Sequence, residues 1–285
     1  VKVISETDDL REWNRKTSDR RRVLVPTMGA LHAGHLSLCD IARREAGANG
    51  DVVASIFVNP TQFGPNEDLA SYPRPLEADL EKCKAHGVDL VFTPGAGAIY
   101  AENASVIIDE TKLSSRLCGS SRPWHFSGVC NVVTKLFNLA QPDAAVFGEK
   151  DFQQLAIIRR LIRDLNFPIK IIAGPTIRES DGLAMSSRNA YLSEEARTQA
   201  PIIFEALSET ISQISDGKLT ASVAAVEHAR KMIEKVPLAK IDYLEIFHSD
   251  TLEPLTGKFG NIKKIRIATA VFFGKTRLID NVGIS

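Results

Sequence analysis

A chain of 285 residues, 44% hydrophobic and 25% charged, is long enough for one large or two moderate globular domains with a full core. Thirty-five basic residues balance thirty-five acidic ones, so no net field holds nucleic acid or an anionic membrane, although a local basic site stays open. The four cysteines form no CxxC pair and no zinc-spaced Cys/His cluster, and no apolar run approaches the roughly 18 residues of a membrane span. Residues 1–14 are charged throughout and lack a signal peptide's apolar stretch, which makes the cytoplasm the expected compartment.

In chain order, residues 22–25 read as a first strand, broken by Pro26. Residues 36–46 follow as a helix with Leu38, Ile41 and Ala42 on one face and Gly47 as its stop. Residues 51–58 form a second buried strand ended by Asn59-Pro60, 76–86 a helix, and 88–92 a third strand. Val129, Val132, Val133, Leu136, Phe137 and Ala140 make a helical stripe. A short strand over 144–147 turns at Gly148 into a helix beginning near Lys150, and 169–173 is a further strand. Strands and helices alternating in this order, with near-continuous apolar strands, predict an α/β fold: a Rossmann-like doubly wound parallel sheet covered on both faces. After Gly174-Pro175 the pattern changes to a polar loop, two helices near 193–214 and 220–236, and strands at 242–248, 264–273 and 276–280. The expected division is therefore 1–176 for the sheet domain and 177–285 for a smaller α+β domain with an antiparallel sheet.

The most informative segment is Val25-Pro26-Thr27-Met28-Gly29-Ala30-Leu31-His32-Ala33-Gly34-His35. It leaves a strand and opens a helix, where unpaired N–H groups and the helix dipole favour phosphate. His32 and His35, three apart, point the same way on one helical turn and can meet charge building on a departing pyrophosphate. Ordinary surface histidines are the bland alternative, and the HxGH placement weighs against it. Gly148-Glu149-Lys150-Asp151 occupies a second strand-to-helix junction at the same sheet edge, with Gln154 one turn further on. Lys150 suits a polyphosphate and Asp151 could hold Mg²⁺ directly or through water, while a capped surface helix with a solvated Glu-Lys-Asp start explains the segment equally well on its own. Ser186, Ser187 and Arg188, at the domain boundary, read on their own as a polar interdomain loop, with a phosphate clamp as the functional alternative. Asn59-Pro60-Thr61-Gln62 faces the same edge, where its amides can read hydroxyls and a carboxylate. Arg116, Arg122 and His125 remain without a role, and His86 and His248 read as structural.

Taken together, PTMGALHAGH, VNPTQF, RPWHFSGV, FGEKDFQQ and RESDGLAMSSRN resemble the pantoate–β-alanine ligase family of the HxGH nucleotidyltransferase superfamily, in order and spacing over roughly residues 20–195. HxGH alone names only the superfamily; FGEKDxQQ and DGLAMSSRN are far more specific. The resemblance implies a Rossmann-like domain with a smaller C-terminal lid, a homodimer, and small-molecule substrates only: (R)-pantoate, β-alanine and ATP with Mg²⁺, yielding AMP and pyrophosphate. By position it implies an ATP site of Met28 to His35, Gly148 to Asp151, Ile177 and Met185 to Arg188. His35 becomes the general acid–base residue, with His32, Lys150 and Arg188 as catalytic partners around one triphosphate. Gln62 and Gln154 would hold pantoate, Gln62 and Asn59 β-alanine, and Asp151 the Mg²⁺. Two rivals are a nucleotidyltransferase that stops at an adenylylated product and an inactive nucleotide-binding module.

Overall fold

The computed structural model describes residues 1–65, 67–260 and 263–284. In chain order the helices of four or more residues and the strands are β1 (Lys2–Ile4), α1 (Thr7–Lys16), β2 (Arg22–Thr27), α2 (Ala33–Ala46), β3 (Asp51–Ile56), α3 (Leu76–Ala85), β4 (Leu90–Phe92), α4 (Ala96–Ile99), α5 (Cys118–Ser121), α6 (His125–Ala140), β5 (Ala144–Gly148), α7 (Phe152–Asp164), β6 (Lys170–Gly174), α8 (Glu194–Gln199), α9 (Ile202–Ser215), α10 (Ser222–Ile233), β7 (Ala239–His248), β8 (Ile265–Phe273) and β9 (Thr276–Gly283). Two compact units result. The first comprises 1–111, 122–149 and 154–175; the second comprises 112–121, 150–153 and 176–285.

The first unit is built on a six-stranded sheet in the order β1-β4-β3-β2-β5-β6. Every pairing in it is parallel, as the apolar, non-alternating strands require. Val23, Val25, Val52 and Ala54 sit in the core with Leu38, Cys39 and Ala42 of α2. The chain leaves β2 for β3 on one side and returns to β5 on the other, so the switch point of the sheet lies beside β2. At the carboxyl ends of β2, β3 and β5 lie the segments holding His32 and His35, Gln62, and Gly148.

Several boundaries differ from the sequence expectation for physical reasons. Pro26 does not break β2: pairing with β5 covers only Val23 and Leu24, so the ring lies beyond that ladder and β2 continues along β3 to Thr27. Helix α2 starts three residues early, at Ala33, with Gly47 at its C-cap in a positive-φ conformation. Residues 149–151 form a 3₁₀ turn before α7, so α-helical spacing does not relate Lys150 to Gln154. β1 and α1 carry too few inward apolar residues to announce themselves.

The second unit stacks α9 and α10 on the antiparallel sheet β7-β8-β9, and its core gathers Ile203, Leu207, Ala225, Ile246, Ile267 and Val271. The expected helix near 193–214 is two helices, α8 and α9, separated at Ala200-Pro201, because proline lacks the N–H that would continue the first. Among the described residues no helix is long and apolar enough to cross a membrane.

Candidate functional site

In the first unit, the turn from β2 to α2 runs through two left-handed residues, Gly29 (φ 79°) and Ala30 (φ 51°). Its amides are almost all spoken for. Gly29 N–H donates to Thr27 Oγ1 (3.2 Å), and Ala30 and Leu31 N–H donate to the two oxygens of Asp79 (2.7 and 2.8 Å). His32 is not in the helix; it is the N-cap, extended at φ −125°. Its Nδ1 accepts from Gly34 N–H (3.1 Å), while His35 Nδ1 accepts from His32 N–H (3.4 Å), a reciprocal capping box. The rings lie 4.0 Å apart between centroids. With Nδ1 accepting in both, a neutral ring carries its proton on Nε2. The amides of Gly29, Ala30 and Leu31, which the sequence left open for phosphate, are thus engaged within the protein and hold the turn together.

Beyond β3, a 3₁₀ turn over Pro60–Gln62 carries Gln62, which is buried. Asn59 is 1% exposed and saturated. Its Nδ2 donates to Gln62 Oε1 (2.9 Å) and Gly128 O (3.1 Å). Its Oδ1 accepts from Thr61 N–H, the Thr61 hydroxyl and the Tyr100 hydroxyl. Asn59 thus orients the Gln62 amide with Oε1 engaged, leaving Nε2 as the donor end. Burial pushes the Tyr100 phenol up, with its bonds to Thr61 and Asn59 acting the other way. Behind Gln62, its carbonyl accepts from His125 Nδ1 (2.9 Å) and Arg122 (3.1 Å). Arg122 is also held by both oxygens of Glu67 at 2.6 Å. Burial raises the Glu67 carboxyl, but the Arg122 hydrogen bond and charge outweigh it and leave the group below its usual value. Arg122 and His125, without a role in the sequence, brace this turn. Gly148 ends β5 and Glu149 begins the 3₁₀ turn. Gln154, in α7, is half-buried.

In the second unit, Lys150, Ser186, Ala184 and Asp280 line one small cavity. Burial pushes the Lys150 ammonium below the ordinary lysine value; Asp151 and Asp280 act against this, and nearby Arg188 adds to it. The backbone of Lys150 is held through Asn281 Nδ2, which donates to its carbonyl (2.9 Å). Asp280, 3% exposed, takes a two-point contact from Arg178 (2.6 and 3.0 Å), whose guanidinium stacks over Phe204 at 3.7 Å. Met185 N–H returns to Ile177 O (3.0 Å), and Arg197 ties Glu179 and Asp181 (2.6 Å each), so the loop ahead of residue 186 is braced. Ser186 caps the 3₁₀ turn Ser187–Tyr191 through Arg188 N–H (3.3 Å). Gln153 is structural: Oε1 accepts from Cys118 N–H (3.0 Å) and Nε2 donates to the carbonyls of Leu113 (2.9 Å) and Arg116 (2.6 Å).

Asp151 stands without a cluster: among the described residues no group of three or more His, Cys, Asp and Glu side chains could hold a metal ion. A single carboxylate is compatible with a Mg²⁺ held in part by substrate phosphates, and Asp151 offers one.

The HxGH capping box, the oriented glutamine and the Lys150 pocket each coincide with a motif of the resemblance. A sequence profile described as pantoate-beta-alanine ligase matches residues 2–283. The chain belongs to the pantoate–β-alanine ligase family. As a member of that ligase family it is 52% identical, over 260 residues and 91% of both chains, to a pantothenate synthetase from Akkermansia muciniphila. It is 46% identical to one from Fervidobacterium nodosum over the whole of both chains. The crystal structure of pantothenate synthetase from Thermus thermophilus superposes with a TM-score of 0.91 at 43% identity, covering 99% of each chain. Pantoate-beta-alanine ligase from Francisella tularensis, solved with beta-gamma ATP and beta-alanine, gives a TM-score of 0.81 at 33% identity over 99% of this chain and 97% of that one. Family membership confirms the fold class and disfavours a nucleotidyltransferase that stops at an adenylylated product.

Proposed function

We propose that the chain condenses (R)-pantoate with β-alanine, using ATP and releasing AMP and pyrophosphate through a pantoyl adenylate. The observation that carries this reading is the reciprocal His32–His35 cap, which fixes two imidazoles at a helix start, in a chain of this family. A pantoate carboxylate must approach the α-phosphate against the triphosphate's charge. One such unit-charge pair at about 4 Å repels by roughly 4 kcal/mol at an effective dielectric near 20. Lys150 and Arg188 supply fixed positive charge against it, and His32 and His35 donate to phosphate oxygens. The carboxylate oxygen forms a bond to the α-phosphorus as the bond to pyrophosphate breaks. The β-alanine amine, neutral when it attacks, then bonds to the acyl carbon; the C–O bond breaks and AMP leaves with that oxygen.

Gln154 and the donor end of Gln62 read pantoate. A site built to hydrogen-bond hydroxyls rejects acids that lack them, since the buried amides are left unpaired. Asn59, with every polar side-chain atom engaged, acts on pantoate and on β-alanine by orienting Gln62. Asp151 would hold a Mg²⁺ carried on the ATP phosphates, directly or through water, and the ion would supply positive charge against the triphosphate. Ile177 and Met185 to Ser187 complete the nucleotide contacts as a lid over the second step, and the working form is a homodimer in the cytoplasm.

ATP–pyrophosphate exchange tests the reading. It should require pantoate, and AMP should appear on adding β-alanine. Exchange that proceeds equally without pantoate would overturn the proposal.

A further inference from the structure

We propose that Asp79 is a positioning residue for the ATP half-reaction, holding the turn that aims His32 and His35. It rests on the assignment of these histidines to ATP.

Asp79 lies on α3, 1% exposed, in a helix where neighbouring Glu77 and Glu81 read like an ordinary acidic face. Burying a carboxylate is costly unless its oxygens are hydrogen-bonded. Both are: Oδ2 accepts from Ala30 N–H at 2.7 Å and Oδ1 from Leu31 N–H at 2.8 Å. Lys82, one turn along α3, donates to Leu31 O (2.7 Å) and lies 3.9 Å from Asp79 Oδ1. One carboxylate and one ammonium thus clamp both polar groups of Leu31, the residue before His32.

This clamp is needed because Ala30 is in the left-handed region, which a residue with a Cβ adopts reluctantly. A strained residue persists only where its surroundings over-determine it. The turn fixes where α2 begins, and α2 begins with the reciprocal cap that sets both imidazoles. Asp79 also takes the amides that a phosphate would otherwise claim in a glycine-rich loop. The nucleotide therefore meets rings whose direction is fixed in advance.

The test is the exchange assay with the KM of ATP and of pantoate measured separately. Asp79→Asn keeps the shape but sets an amide NH₂ against a backbone N–H. The ATP KM should rise about fivefold or more and the exchange rate fall about tenfold or more, with pantoate KM within about twofold. A merely structural role lowers the folded fraction and moves neither KM. ATP KM and rate both within about twofold of wild type, or ATP and pantoate KM rising together, would overturn the proposal. Should Asp79→Asn fail to fold, Lys82→Met decides: from a half-exposed side chain it removes the tie to Leu31 O and the 3.9 Å ion pair with Asp79, and leaves both Asp79 bonds to the Ala30 and Leu31 amides in place. It should raise the ATP KM about two- to fivefold, and an unchanged ATP KM overturns the clamp. Wild-type exchange that ignores pantoate would instead sink the functional reading while leaving the ATP KM comparison interpretable.

Discussion

Gly128 lies in the first turn of α6, where that helix meets the 3₁₀ turn carrying Gln62 backbone to backbone. A Cβ placed there would stand 2.4 Å from Thr61 O, 2.6 Å from Thr61 C and 2.9 Å from Gln62 N. Ordinary carbon–oxygen contact begins near 3.3 Å, so Gly128→Ala must drive the two elements apart by about 1 Å. The shift stretches the Asn59 bond to Gly128 O, now 3.1 Å, and carries Gln62 with it. A displacement of that size at a substrate-positioning group costs on the order of 100-fold in kcat/KM. Overpacking destabilises by about 1–3 kcal/mol, offset by the roughly 1 kcal/mol that alanine gains over glycine inside a helix. The net loss of stability is therefore small, about 0–2 kcal/mol, and the variant folds. Pantoate-dependent exchange should show the loss chiefly as a raised pantoate KM. A pantoate KM within about twofold of wild type, together with a raised melting temperature, would mean helix propensity alone governs the position and would refute the reasoning.

His35→Ala should lower exchange by about 100-fold with little change in melting temperature, since its bond to His32 N–H is long; a rate within about threefold, under 1 kcal/mol of barrier, contradicts its role. The adjacent glutamines should separate. Gln153→Leu orphans three partners and costs about 3 kcal/mol with substrate KM values intact, whereas Gln154→Leu leaves stability alone and raises pantoate KM about tenfold or more; the reverse pattern would exchange their roles. Burial pushes the thiols of Cys39, Cys83 and Cys130 up to about 12, 11 and 12, from an ordinary 9.0. Because these pKa values are raised in the folded state, their contribution is fully present below pH 9.0 and is lost as the unfolded chain releases protons the folded one retains. The urea midpoint should fall from pH 9 toward 11, and all three should resist alkylation at pH 8; a flat midpoint or prompt labelling contradicts this.

The sheet was legible because β2 and β3 are runs of Val, Leu and Ala with no polar alternation, which only a doubly covered parallel strand tolerates. β1 was not, since two of its three residues are exposed and its pairing with β4 spans 88 positions of sequence. The site motifs were visible as glycine and histidine spacings at strand ends, but their local geometry was not. HxGH reads as two residues on one helical turn, yet the extended backbone of His32 makes it a cap. Asp79 and Asn281 act on residues 48 and 131 positions away, Leu31 and Lys150, and a one-dimensional pattern carries no signal for such partners. Likewise nothing local distinguishes Gln153 from Gln154; only the folded 112–121 segment shows that the first amide is fully occupied.

Following the oxygen of pantoate's carboxylate tests the adenylate pathway most directly. With pantoate labelled by ¹⁸O in both carboxylate oxygens, one labelled oxygen should leave in the phosphate of AMP and the other remain in the amide carbonyl of the product. Unlabelled AMP, with the label instead in free phosphate or water, would show that no acyl–phosphate bond to the nucleotide forms and would contradict the account.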